Sequence, residues 1–148
     1  MSSVAIRNEQ FRVLQSSRNR LEYLTANDWA LLADKSQLLT FEKDSVLIQA
    51  GMRPRYLFFL LHGKARIESA PLVKVAEVSE GDICGEMSFL EDSVASARVV
   101  AETKVETWAI EWTALQQLFD LYPHLGSRFF RSLALNLSRR LRKQISRS

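Results

Sequence analysis

The run Gly85-Glu86-Met87-Ser88-Phe89 holds the residues of this chain best suited to recognising a small polar molecule. A glycine in front of a carboxylate permits a tight turn, because glycine alone accepts positive φ without strain. Held beside such a turn, Glu86 can accept a hydrogen bond from a sugar hydroxyl. The backbone N–H groups near Met87, Ser88 and Phe89 would leave the start of a short helical turn, which suits an anion without any special side chain. A polar bend follows, and then Ala95-Ser96-Ala97-Arg98-Val99 begins a strand-like stretch. Ser96 adds a hydroxyl to the set. Arg98 is the one cation between Gly85 and Ala101. Strand alternation places it on the face of Ser96, with its Cβ about 6–7 Å further along, but its expected place is the outer surface. For Glu86 the competing role is an exposed acid favouring a helix start.

Other reactive side chains form no constellation. His62 and His124 have no cysteine or carboxylate at metal-ligand spacing, so zinc is not expected. Two histidines also fail to assemble a Ser-His-Asp or Cys-His arrangement, and no enzyme is expected. Cys84 reads as a buried, inert thiol. Trp29, Trp108 and Trp112 read as packing residues.

The elements that must position the Gly85 segment are a set of short strands framed by helices. Phe11, Leu14, Arg18 and Leu21 recur at helical spacing and predict an N-terminal helix from about Asn8 to Tyr23. Thr25 and Asp28 are spaced as a capping box ahead of Trp29, Leu31 and Leu32. Strand-like runs then occupy Leu38–Phe41, Ser45–Ile48, Tyr56–His62, Lys64–Glu68, Val73–Val78, Ala97–Ala101 and Val105–Ile110, separated by Gly51, Gly63, Pro71 and Gly81. Even spacing of short strands suggests an antiparallel barrel or jelly roll. Leu115, Leu118, Phe119 and Tyr122 mark a helix from Trp112, and Pro123 can start another. In that last helix Phe130, Leu133, Ala134, Leu137, Leu141 and Ile145 form a stripe that must pack on something.

These motifs carry a resemblance to a known family. The Gly-Glu turn, the polar bend and the Ser-Ala-x-Val-x-Ala strand, with the glycines of Gln49-Ala50-Gly51, His62-Gly63 and Gly81-Asp82, resemble the cyclic nucleotide-binding domain of catabolite activator proteins and protein kinase A regulatory subunits. The match covers roughly residues 20–145. It implies an α+β fold: an antiparallel jelly-roll barrel over about residues 38–111, N-terminal helices, and C-terminal helices over about 112–146 within one domain spanning 1–148. It also implies ligand contacts from Gly85, Glu86 at a ribose 2′-hydroxyl, Met87, Ser88, residue 95 and Ser96. The family's Arg that grips the cyclic phosphate falls at residue 95, which is Ala here. Loss of a charge-assisted contact of this kind costs about 1.5–3 kcal/mol. Two readings follow: a regulatory module that binds cAMP or cGMP weakly or in an altered way, or a scaffold of the same fold that binds protein and no nucleotide.

Composition and charge bound the rest. With 148 residues, 47% of them hydrophobic, the chain suits one domain with a real core. One cysteine allows no intramolecular disulfide, the longest apolar run, Tyr56–Leu61, is too short for a bilayer, and no signal-peptide core opens the chain. A cytoplasmic protein is expected. The net charge of +3 divides into +3 over residues 1–20, −7 over 21–122 and +7 over 123–148. The acidic middle disfavours an anionic ligand, and the basic last helix reads as a solvated face. The chain stops at Ser148, so no helix-turn-helix and no specific DNA partner are expected. A protein partner and a homodimer through the C-terminal helix are.

Overall fold

Alternation along the strands decides the architecture. In the computed structural model, which describes residues 12–15, 20–71 and 73–147, eight strands form two four-stranded antiparallel sheets. They are β1 (Gln37–Phe41), β2 (Val46–Ile48), β3 (Tyr56–His62), β4 (Ala65–Ser69), β5 (Val73–Val78), β6 (Ile83–Cys84), β7 (Arg98–Ala101) and β8 (Val105–Glu111). The first sheet runs β1-β8-β3-β6 and the second β2-β7-β4-β5, a jelly roll. Strand β3 is apolar from Leu57 to Leu61 because both of its faces are covered there. Leu57, Phe59 and Leu61 point to a core under the helices, and Phe58 and Leu60 to a core between the sheets. On β8, Trp108 and Ile110 face the first core, and Val105 and Ala109 the second.

Besides helical residues 12–15, the described residues hold the helices α1 (Ala26–Lys35), α2 (Glu86–Glu91), α3 (Trp112–Leu121) and α4 (Pro123–Arg147). The expected capping box starts α1, with Thr25 Oγ1 accepting from the Asp28 amide at 3.1 Å and Asp28 Oδ2 from the Thr25 amide at 3.0 Å. Asp28 also takes two hydrogen bonds from Arg128 on α4, at 2.6 and 2.8 Å. All three tryptophans are buried packing residues.

Three expectations need correction. The N-terminal helix does not reach Tyr23: residues 12–15 are helical, 20–25 are not, and Asn8–Phe11 and 16–19, with Phe11 and Arg18, lie outside the described residues. Strand β6, two residues long, gave no periodic signal, since two residues carry no period. The proposed stripe on the last helix is its packing face only at Leu133 and, half-buried, Leu137. Leu125, Phe129, Leu133 and Asn136 are buried, whereas Phe130 and Ala134 are exposed and Leu141 and Ile145 are 58% and 64% exposed. The helix docks on α3, on Asp28 through Arg128, and on Glu22 and Glu86 through Arg139 and Arg140, so its register follows those contacts and not the widest apolar count.

Candidate ligand-binding site

Between the sheets, a cavity of about 350 Å³ opens beside the β6–α2 turn. It brings together all six residues singled out from the sequence, Gly85, Glu86, Met87, Ser88, Ala95 and Ser96. Its walls are Ile48, Ile67, Ala76, Val78, Cys84 and Val99 from five strands, and Arg140 reaches it from α4.

Each polar residue has a local cause for its place. Gly85 caps α2 in the left-handed region with φ at 91°, and a Cβ there would sit 3.2 Å from Ile48 Cδ1. Any other residue would be strained there. Phe89 anchors α2 in the helical core, 5.5 Å from the Trp112 ring in a T-shaped contact and 6.2 Å from Phe130, stacked. With Phe89 turned to the core, Glu86 and Ser88 are buried at the cavity, and Met87 stands half exposed at its rim. Ala95 is held by its backbone: its amide donates to Met52 at 2.9 Å, and its carbonyl accepts from Gly51 at 2.8 Å. The glycine turn at Gly51 thus places the Ala95 loop against the cavity.

The charges are unequal. Glu86 is 8% exposed, and burial pushes its carboxyl above the usual carboxylate range, against the opposing pull of its own amide and of Arg140. The Arg140 guanidinium lies 3.5 Å from it. Glu77 and Asp82 add two further carboxyls to the lining, and Arg140 is the one basic side chain among the described lining residues. Burial raises the Cys84 thiol far above its ordinary range, so it is inert as a nucleophile.

Arg98 is not part of the cavity. Ser96 and Ala97 form a bend and the strand starts at Arg98, so alternation does not relate Ser96 to Arg98. The guanidinium is instead turned to Glu68, which it meets at 2.9 and 2.5 Å, and Arg66 meets the same carboxylate at 2.9 Å. Those two arginines, Arg98 foremost, hold Glu68 below the usual range. This outcome agrees with the surface role expected for Arg98. Arg140 was missed as an individual residue. Nothing in its local spacing distinguishes it from the other arginines of α4; only its docking against Glu86 does.

Residues 38–122 match the family profile described as the cyclic nucleotide-binding domain, which is more than half of the chain. The chain belongs to that family. Among curated proteins it is 34% identical over 139 residues to Cyclic GMP-binding protein C of Dictyostelium discoideum, covering 86% of this chain but only 5% of that protein. Among solved structures, a cyclic nucleotide-binding domain from Methylobacillus flagellatus KT superposes with a TM-score of 0.79 at 24% identity, over 97% of this chain and 82% of the other. The catabolite activator protein of Thermus thermophilus gives a TM-score of 0.68 at 23% identity, over 84% of this chain and 58% of the other. At these identities the structural likeness speaks for the fold. Among the described residues no helix is long and apolar enough to cross a membrane, and no group of His, Cys, Asp or Glu could hold a metal ion.

Proposed function

We propose that this domain is a regulatory cyclic nucleotide-binding module and that its ligand, cGMP or cAMP, occupies the cavity beside Glu86. The observation that carries this reading is the convergence of Gly85, Glu86, Met87, Ser88, Ala95 and Ser96 on one cavity. Glu86 accepts a hydrogen bond from the ribose 2′-hydroxyl, and Ser96 offers a hydroxyl near the phosphate. A relative bearing the name of a cyclic GMP-binding protein makes cGMP the first ligand to test. With Ala95 in place of a phosphate-gripping Arg, binding is weaker than a bidentate site would give.

Calorimetric titration with cGMP and cAMP tests the proposal. Glu86→Ala weakens binding by about tenfold or more, as a hydrogen bond to a charged acceptor is lost. Ala95→Arg tightens it by about tenfold through a new charge-assisted contact. If neither the wild type nor Ala95→Arg binds either nucleotide while both keep a native circular dichroism spectrum, the second reading stands. That reading is a protein-binding scaffold without nucleotide, favoured by the carboxyls of Glu77, Asp82 and Glu86 in the lining.

The exposed Leu141 and Ile145 suit a two-fold pairing of α4 with a second copy. Light scattering at high micromolar concentration then gives a dimer. The Leu141→Glu, Ile145→Glu double variant gives a folded monomer, and a monomeric wild type removes the idea.

A further inference from the structure

The cavity lacks a cation where an anionic ligand would need one, and a different element supplies it. Ala95 offers no side-chain donor, and its amide is committed to Met52. Arg98 is held away by Glu68 at 2.9 and 2.5 Å. Acidic residues line the cavity, and their field opposes an anion. That leaves Arg140, whose side chain is 43% exposed and whose contact with Glu86, at 3.5 Å, is longer than a strong charge-assisted bond.

We infer that Arg140 is the ligand's phosphate-recognising residue, taking from α4 the contact that Ala95 cannot make; the inference rests on reading the cavity as a cyclic nucleotide site. Binding is an exchange of partners. A ribose hydroxyl donates to Glu86, and the phosphate accepts from Arg140. The buried carboxylate of Glu86 is therefore not left unsatisfied when its arginine moves to the ligand, which would otherwise be costly. A planar guanidinium can grip two phosphate oxygens at once, whereas the long contact to Glu86 uses it poorly. Since Glu86 opens α2, directly after strand β6, and Arg140 belongs to the last helix, the ligand cross-links the two, and the strength of the phosphate contact depends on where α4 sits.

The test compares a nucleotide with its nucleoside. Titrate cGMP and guanosine into the wild type, Arg140→Ala, Arg140→Lys, and Arg140→Ala combined with Ala95→Arg. Arg140→Ala is expected to weaken cGMP by about tenfold or more while guanosine changes by less than about twofold. Arg140→Lys keeps part of the cGMP affinity as a point charge, and the double variant recovers it from the opposite wall. Unchanged cGMP binding in Arg140→Ala overturns the inference and leaves the cyclic nucleotide reading intact. An equal loss for cGMP and guanosine, or no recovery in the double variant, also overturns it, since Arg140 would then only shape the cavity. A wild type that binds neither cyclic nucleotide nor nucleoside removes the reading of the cavity and the inference with it.

Discussion

The two cores of this domain are built from side chains of different size, and the difference locates the ligand space. Under the helices, Trp29, Phe59, Phe89, Trp108, Trp112, Phe119 and Phe129 pack with ring contacts such as Phe119–Phe129 at 5.1 Å. Between the sheets, the residues are mostly Ala65, Ala95, Ala101, Ala109, Val78, Val99, Val105 and Cys84, with Phe58 the one buried aromatic. Facing sheets sit about 10 Å apart, and alanines and valines cannot fill that width near α2. The cavity is what remains. Two buried acids follow the same division. Asp28, beside the helical core, is held below its ordinary pKa, first by Arg128 hydrogen bonds. Glu86, at the cavity, is pushed above its own by burial.

Removing a ring from the filled core should do the most damage. Phe129→Ala is expected to cost about 3–5 kcal/mol in urea unfolding, the usual loss for a large side chain that leaves a cavity. Val99→Ala, beside space already open, should cost about 1 kcal/mol. Equal costs would erase the distinction between the cores.

The acids sharpen the contrast through pH. Asp28→Ala removes a cap and the Arg128 partner together, and a loss of about 2–3 kcal/mol at neutral pH is expected. Because its folded pKa is lowered, the contribution of Asp28 is present above the unfolded carboxylate value and fades as pH falls through the folded one. Glu86 has the opposite sign: its raised pKa gives stability below about pH 4.3, near the unfolded value, that is lost as pH rises through the folded value. Glu86→Gln should thus raise neutral stability, by about 1 kcal/mol or less, and flatten the pH profile above that point. A urea midpoint series from acid to neutral pH reads both slopes, and slopes of the same sign would refute the division.

A modest effect on folding belongs to the turn. Gly85→Ala places a Cβ at positive φ and close to Ile48, which should cost about 1–2 kcal/mol. Its effect on ligand titration should be larger in proportion, because the same turn aims Glu86. A variant that loses stability but keeps full affinity would separate the turn from the site.

Much of this was legible from local pattern. Seven strands, the Thr25–Asp28 capping box and the glycine turns rest on interactions between near neighbours in sequence, where periodicity and allowed φ act directly, whereas the six residues around the cavity were implied by the resemblance of the Gly85–Ala101 run to the family's motif. The helix at residues 12–15 was overextended because apolar spacing alone does not mark a stop, and Leu14 and Leu21 are both buried without sharing a helix that reaches Tyr23. Tertiary structure decided the rest. The packing face of α4 depends on where α3 and Asp28 receive it, not on its own apolar count. Arg98 turns to Glu68 because β4 lies beside β7, with those two residues paired in register. The cavity is a volume left by residues of five strands, and Arg140 meets Glu86 only because α4 folds back over it. Local sequence sets which conformations a segment can adopt. Long-range packing sets which charges meet, since that depends on the docking of whole elements and not on the spacing within any one of them.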